Sequence, residues 1–201
     1  MRFDLQVIAS WIEPESKVLD LGCRTGSLLM HLTEQKGIRG TGVEIDEDAA
    51  GQAIAKGLSV IHGDIYEEIE DYPDNAFDYV ILSQTLQQVY DPAMLIREML
   101  RVGRRCIVSF PNFTHIKNRF QMFFTGCAPV SKELPYAWHD TPNIRVIPIA
   151  DFRRFCRGMN VPIVQETAIS THHHDTKGRV ITLLPNLFAT FGIFMLGQPN
   201  K

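Results

Sequence analysis

The densest group of chemically informative residues spans residues 18–26, which read Val-Leu-Asp-Leu-Gly-Cys-Arg-Thr-Gly. A short apolar segment contains Asp20 near its end, and Gly22 and Gly26 follow it. Glycines at such a corner allow positive φ angles and a close approach of the backbone to a ligand. The spacing is neither that of the dinucleotide fingerprint nor that of the P-loop. Because Asp20 is acidic, the turn predicts a ligand with a positive centre, such as an amino or sulfonium group.

Three more polar residues each lie at the end of a predicted strand. Glu44 lies about 20 residues beyond the glycine turn, where an acidic residue can accept hydrogen bonds from both ribose hydroxyls. Asp64 follows the third strand, where a carboxylate can reach an adenine amino group. Ser83, with Gln84 and Thr85, follows the fourth strand. Ligands of open α/β sheets bind at the carboxyl ends of the strands, so these residues together predict an adenosine-containing, cationic cofactor.

The elements that must position these residues alternate between strand and helix. Apolar segments predict strands over residues 17–21, 39–45, 58–62, 78–82 and 105–110. Helical spacing predicts helices over residues 3–11, 27–35, 47–56 and 93–102. Because the strands scarcely alternate in polarity, they predict a parallel sheet buried on both faces. The pattern is that of a doubly wound, Rossmann-like α/β fold.

The pattern changes beyond residue 110. We predict an aromatic-rich helix over residues 114–124, a long proline-containing loop over 126–148 and a helix over 149–158. Two late strands, over residues 161–169 and 179–184, flank a polar turn and predict an antiparallel edge. The sequence therefore predicts a mostly parallel, seven-stranded sheet flanked by helices, in a single domain of residues 1–201.

Composition narrows the classes of function. With 201 residues, 45% of them hydrophobic, the chain suits one globular domain. A net charge of −3 gives no basic footprint, so no nucleic-acid partner is predicted. Its four cysteines form no Cys-x-x-Cys pair, which argues against a zinc site. No signal peptide and no long uncharged apolar run is visible, so we expect a cytoplasmic protein with reduced thiols and no membrane partner.

These motifs carry a family resemblance. The segments VLDLGCRTG, GVEID, GDI and FDYVILSQTLQQV, between residues 17 and about 110, resemble the class I S-adenosylmethionine (AdoMet)-dependent methyltransferase superfamily. The stretch VILSQTLQQVYDPAMLIREMLRVGRRCIVSFPNF, residues 80–113, resembles the methionine-biosynthesis protein W (MetW) family. That second resemblance continues through residues 118–120 and 134–143 and so covers nearly the whole chain.

The resemblance implies a fold, a cofactor and a partner. The fold is that of a class I methyltransferase, and the partner is a homoserine O-acyltransferase. The cofactor is AdoMet or its demethylated product S-adenosylhomocysteine. Its predicted binding residues are Asp20, Gly22, Gly26, Glu44, Asp64 and Ser83.

One residue departs from the family pattern. The family usually reads Gly-Cys-Gly-Asp-Gly at the first turn, whereas this chain has Arg24 in place of the middle glycine. Its side chain could block the methionine moiety of the cofactor or pair with its carboxylate. A non-glycine residue at positive φ is also strained by about 1–2 kcal/mol.

No catalytic residue is assigned. Residues 83–86 lack the Pro-Pro-Tyr type motif of the superfamily's amino-methylating enzymes. His115 and His139 could serve as bases for an oxygen acceptor, but surface positions explain them better. Residues 172–175, His-His-His-Asp, could bind a metal, but adjacent histidines do not face one point, so no metal site is predicted. Cys23 is interpreted as a packing residue. No Gly-x-Ser-x-Gly elbow occurs, so the chain is not itself the acyltransferase.

Three functions follow. The first is an AdoMet-binding accessory or regulatory subunit of a homoserine O-acyltransferase in methionine biosynthesis. The second is an active AdoMet-dependent methyltransferase whose small-molecule acceptor binds near residues 113–145. The third, a scaffold without a cofactor, rests on Arg24 alone.

Two aromatic segments are candidate contact surfaces. Residues 113–124 and 184–196 are rich in Phe and Met, which are enriched in interface cores. The first segment could equally cover the protein's own sheet. The second, interpreted as a tail beyond the last strand, could likewise cover the sheet, or it could bind a partner or a second copy in a homo-oligomer.

Overall fold

A computed structural model of the chain describes residues 1–131, 134–172 and 175–199. Within these residues, eight strands form one sheet in the order β3-β2-β1-β4-β5-β8-β6-β7. The strands are β1 (Lys17–Leu21), β2 (Arg39–Glu44), β3 (Ser59–His62), β4 (Phe77–Ser83), β5 (Gly103–Pro111), β6 (Ile163–Ser170), β7 (Arg179–Val180) and β8 (Phe191–Gly197). The helices are α1 (Phe3–Trp11), α2 (Ser27–Lys36), α3 (Glu47–Ala55), α4 (Ile65–Glu70), α5 (Pro92–Val102), α6 (Ile116–Thr125), α7 (Ile149–Gly158) and α8 (Pro185–Phe188).

The first five strands pair in parallel, as their unbroken apolar sequences predict. Strands β1 and β4 are buried on both faces of the sheet. One apolar cluster packs α5 and α7 on one face, through residues such as Leu95 and Phe152. The other packs α1 and α2 on the opposite face, through Ile8 and Leu32. The predicted α/β fold with a mostly parallel sheet is confirmed.

The strand order reverses at β1, which lies between β2 and β4. In open α/β sheets, the crevice beyond the carboxyl ends of the strands at such a reversal is where ligands bind. The fold therefore brings the loops that follow β1, β2 and β4 together at one edge, called here the carboxyl edge.

The sheet contains one strand more than predicted. Strand β8 lies between β5 and β6 and runs antiparallel to both. Its residues are buried throughout, so the interpretation of this segment as a surface tail is wrong. A strand covered on both faces is apolar along its whole length, and periodicity does not distinguish it from an apolar tail.

The predicted strand over residues 179–184 is shorter in the structure. Only Arg179–Val180 pairs with β6, and it forms the antiparallel edge that was predicted. Leu184 adopts a left-handed conformation, with φ of 47°, and Pro185 then begins α8. The turn at Leu184 therefore separates the edge strand from the residues that lead into β8. In the described part of the chain, no helix is long and apolar enough to cross a membrane.

Candidate cofactor site

The turn after β1 depends on two glycines. Gly22 has φ of 74°, and its N–H donates to the Val43 carbonyl oxygen at 2.8 Å. A Cβ atom on Gly22 would lie 2.8 Å from Thr85 Oγ1, which is too close for a normal contact. Gly26 has φ of 70° and leads into α2, and a Cβ atom there would lie 2.2 Å from Leu58 Cδ1. Both positions therefore favour glycine for conformation, and Gly22 favours it for space as well.

Arg24 lies within this turn at φ of 52°, which is the left-handed conformation that strains a non-glycine residue. Its backbone N–H donates to Glu44 Oε2 at 2.7 Å. A hydrogen bond to a charged carboxylate is stronger than one between neutral groups, so it offsets part of the conformational strain. The side chain of Arg24 is exposed and does not pack into the core beneath the turn.

Glu44 joins the end of β2 to the glycine turn. It is 3% exposed, and its Oε1 atom accepts a hydrogen bond from the Asp46 N–H at 3.0 Å. Its other oxygen accepts from Arg24. An ionised carboxylate has about four acceptor positions. Two backbone hydrogen bonds therefore leave capacity for the predicted ribose hydroxyls.

Asp20 is the most perturbed carboxyl group of the site. It is 3% exposed, and its Oδ1 atom has no hydrogen-bond partner among the described residues. Burial, and then the negative charge of Glu44, raise the pKa of Asp20 to about 7, while the nearby Arg2 acts in the opposite direction. Buried polar atoms in native proteins nearly always have a partner, so an unpaired acceptor here indicates a place for a ligand donor or an ordered water.

The amino-terminal helix contributes to the same edge, which the sequence analysis missed. Asp4 of α1 is buried and forms an ion pair with Arg2 at 3.0 Å. It also accepts a hydrogen bond from Gln84 Nε2, beyond the end of β4, at 2.6 Å. The available signal was an acidic residue one helical turn before the buried Ile8, on the apolar face of the helix.

Asp64 and Ser83 complete the predicted set. Asp64 caps α4, a helix that was not predicted, because its Oδ1 accepts from the Tyr66 N–H at 2.7 Å. Ser83 ends β4, and its hydroxyl lies 3.1 Å from that of Ser109 on β5. The structure thus places all six predicted residues in the last part of β1, β2 or β4 or in the turns that follow β1 and β3.

A second unpaired acceptor lies beyond β4. Gln87 belongs to a short 3-10 helix (Leu86–Gln88), is 5% exposed and donates from Nε2 to the Gln84 carbonyl oxygen at 2.6 Å. Its Oε1 atom has no partner among the residues described. Its main-chain oxygen accepts from the N–H groups of Ile144 and Arg145, at 2.9 and 3.0 Å. These bonds attach Ile144 and Arg145 to the carboxyl edge.

The other candidate side chains lie away from a reactive arrangement or have local contacts of their own. Cys23 is buried, and burial together with the charges of Asp20 and Glu44 raises the pKa of its thiol, so it is a poor nucleophile. The Nδ1 atom of His115 accepts from the Lys117 N–H at 3.3 Å and caps α6. His139 lies against the edge of Trp138.

Residues 172–175 were the candidate metal-binding segment. His173 and His174 lie outside the described residues. Among those that are described, no group of His, Cys, Asp and Glu could hold a metal ion.

Comparison with known proteins agrees with this geometry. The family model of methionine biosynthesis protein MetW matches residues 2–196. The chain belongs to the MetW family. A bifunctional methionine biosynthesis protein MetXA/MetW from Rhodopirellula baltica is 37% identical over 175 residues, which are 83% of this chain and 28% of that protein. The chain therefore spans little more than a quarter of that relative. Membership of the MetW family associates the chain with methionine biosynthesis.

Solved structures show the same fold. A SAM-dependent methyltransferase from Archaeoglobus fulgidus has a TM-score of 0.67 at 17% identity, with 97% of this chain and 91% of that one covered. Magnesium protoporphyrin IX methyltransferase from Synechocystis PCC 6803, solved with bound SAM, has a TM-score of 0.59 at 16% identity, with 97% and 78% covered. At these identities the likeness establishes a Rossmann-like, SAM-methyltransferase-type fold.

Proposed function

We propose that the carboxyl edge binds AdoMet. The observation that carries this proposal is the Oδ1 atom of Asp20, a buried acceptor with no hydrogen-bond partner among the described residues. It lies beside a glycine turn that lets the backbone come close to a ligand. A cationic cofactor supplies the partner that the atom lacks and favours the ionised form of a carboxyl group whose pKa is raised by burial. The proposed binding residues are Asp20, Gly22, Gly26, Glu44, Asp64 and Ser83.

Each of these residues has a role that follows from its chemistry. Asp20 attracts the positive charge of the methionine end, and Glu44 accepts hydrogen bonds from the ribose hydroxyls. Asp64 can accept from the adenine amino group while it caps α4. The two glycines let the backbone approach the ligand, and Ser83 offers a hydroxyl at the end of β4. AdoMet, when bound, supplies a sulfonium with a transferable methyl group.

The chain acts, in this proposal, as an accessory subunit of a homoserine O-acyltransferase in the cytoplasm. Two findings support this: the chain belongs to the MetW family, and a relative joins MetXA and MetW in one bifunctional protein. We take the MetXA part to be that acyltransferase. If AdoMet has different affinities for the free and the assembled subunit, its concentration will regulate the acyltransferase, since such coupling is reciprocal.

Calorimetric titration with AdoMet tests the site. Replacing Glu44 by Ala should weaken binding by about 1.5–3 kcal/mol, because hydrogen bonds to a charged group are lost. Asp48→Ala is the matched control, since it removes the same charge from an exposed position four residues away. Equal affinity of the Glu44 variant and the wild type would show that the ribose is not held there.

The second half of the proposal is tested on the purified acyltransferase. We expect the chain to form a complex with it, and AdoMet to change either the stability of that complex or the acylation rate. If AdoMet changes neither, the regulatory role is wrong, whatever the affinity of the isolated chain.

Methyl transfer to a small molecule is the second candidate. It is favoured by the unpaired Oε1 atom of Gln87, which offers an acceptor molecule a buried hydrogen-bonding group beyond β4. The test is incubation with AdoMet and small hydroxyl and amine compounds. A methyltransferase forms S-adenosylhomocysteine in proportion to enzyme, and its complete absence across the set would count against this candidate.

A further inference from the structure

Helix α6 exposes nearly all of its apolar side chains. Phe123 is 82% exposed, Phe124 73%, and Phe120 and Met122 54% each. Asn118 is the buried residue of this ten-residue helix, and its side-chain amide donates to the Phe113 carbonyl oxygen at 3.1 Å. The alternative that this segment covers the protein's own sheet is therefore wrong.

The aromatic rings of α6 are already ordered against one another. Phe120 and Phe124 stack with centroids 5.8 Å apart, and Phe123 meets Phe124 edge-on at 5.1 Å. A helix of this length is marginal in water unless an apolar face packs against something. Exposed aromatic clusters of this kind mark interaction sites.

We propose that α6 is the docking helix through which this chain binds the acyltransferase, with its Phe side chains inserted into an apolar groove on that enzyme. The inference rests on the proposed function, because it takes the acyltransferase as the partner. Recognition of a helix by a groove uses residues three and four positions apart, which is the spacing of Phe120, Phe123 and Phe124.

Charge and the fused relative favour this occupant over two others. Residues 113–131 contain Lys117 and Arg119 but no Asp or Glu. In a two-fold homodimer packed through this helix, these cations would lie close to their own copies. The bifunctional relative that joins MetXA and MetW points to a protein partner and not to a membrane. A groove bordered by Asp and Glu on the acyltransferase would complement the two cations of the helix.

The position of α6 connects docking to the cofactor site. Strand β5 carries Ser109, which hydrogen-bonds to Ser83 at the carboxyl edge, and ends at Pro111. Helix α6 begins five residues later, at Ile116. Thr114, between them, donates from its hydroxyl to Asn186 Oδ1 of α8 at 3.2 Å. The short helix α8 therefore lies next to this segment, and it ends at the half-exposed Phe188.

Binding of purified acyltransferase to variants of the full chain tests the inference. Phe123→Ser should raise the dissociation constant about tenfold or more, as for an interface hot spot. Ile54→Ser is the matched control, because Ile54 is 51% exposed and lies on the last turn of another helix, α3. The dissociation constant of this variant should stay within about twofold of the wild-type value. If the wild type binds and Phe123→Ser binds equally well, the docking site is wrong. If the wild type does not bind, the proposed function itself fails.

A native thiol gives a second measurement that needs no substitution in α6. Cys127 is exposed two residues beyond the end of α6, whereas Cys23, Cys106 and Cys156 are buried. Formation of the complex should slow maleimide labelling of Cys127 severalfold. An unchanged labelling rate in a formed complex would place the interface elsewhere.

The two other occupants give distinct results. Sedimentation of the chain alone should show a monomer, and flotation with phosphatidylglycerol vesicles should show no binding. A dimer that Phe123→Ser dissociates, or flotation that Phe123→Ser abolishes, would overturn the choice of the acyltransferase.

Discussion

Asp20 makes the stability of the protein depend on pH in an unusual direction. Its pKa is raised from 3.8 to about 7 by burial and by Glu44, so the folded protein keeps a proton that the unfolded chain has lost between these values. Stability is therefore unaffected by this group below about pH 3.8, falls as pH rises towards about 7, and is level above it. The full effect is about 4 kcal/mol.

Asp20→Asn should remove this dependence. The free energy of unfolding of the wild type, measured by urea denaturation, should fall relative to that of the variant between pH 4.5 and pH 8 by about 2–4 kcal/mol. Other titrating groups are common to both proteins and cancel in the difference. Parallel pH profiles for the two proteins would mean that Asp20 ionises freely in the folded state.

The left-handed Arg24 gives a second prediction. Its conformation costs a non-glycine residue about 1–2 kcal/mol, while glycine adds about 0.4–1 kcal/mol of chain entropy to the unfolded state. Arg24→Gly should therefore stabilise the protein by up to about 1 kcal/mol in urea denaturation. Arg24→Ala retains the strain and should show no such gain. A Gly variant less stable than the Ala variant would show that strain at this turn is negligible.

Local sequence was sufficient to place Asp20 and Glu44 at the carboxyl edge, but not their neighbours. Asp20 and Glu44 were predictable because strand ends and glycine spacing are local features. Asp4 was not, because its contact with Gln84 joins residues 80 positions apart. Arg2 was not predicted because its contact at this edge is the ion pair with Asp4 of α1. Gln87 was not predicted because its contacts with Ile144 and Arg145 join residues far apart in the sequence.

At the scale of elements, strand β8 is the element that the periodicity of apolar residues did not predict. The helix over residues 149–158 and the strand over residues 17–21 were predicted to the residue, since flanking Pro and Gly residues mark their ends. Strand β8 has no polar residue to mark a buried and an exposed face. Its place beside β5 was set by tertiary pairing that no local pattern specifies.

Truncation of a β8 side chain measures what that strand contributes. Phe194 is 1% exposed and packs against Phe110 and Phe152, with ring centroids 5.7 and 4.8 Å away. Phe194→Ala should lower the free energy of unfolding by about 3–5 kcal/mol, because it leaves a cavity. Phe188→Ala, at a residue 41% exposed, should change it by less than about 0.5 kcal/mol. Similar values for both would contradict the central position of β8.

For the whole molecule, we propose that one domain spans residues 1–201. The late strands β6 and β8 extend the same sheet as β1 to β5, and α1 packs on residues of β8 such as Ile193. A core shared by the first and last parts of the chain should unfold as one unit.

Denaturation followed by two probes tests that unity. Far-UV circular dichroism and the fluorescence of Trp11 should give coincident unfolding transitions. The measurement uses the Trp138→Phe variant, because the fluorescence of Trp138, which is 81% exposed, would mask that of Trp11. Trp138→Phe and wild type should share one midpoint by circular dichroism. Two separated transitions would divide the chain into independent units.

The hydrogen bond between Glu44 and the Arg24 backbone has a consequence for reading related sequences. The carboxylate supports the turn whether or not any ligand is present, through the two N–H groups it accepts. Selection for folding alone would then keep it in lineages that have abandoned the cofactor. An acidic residue at this position in a relative is thus evidence for the architecture. Ligand binding in that relative has to be established from the residue equivalent to Asp20, whose Oδ1 atom has no hydrogen-bond partner within the described part of this chain.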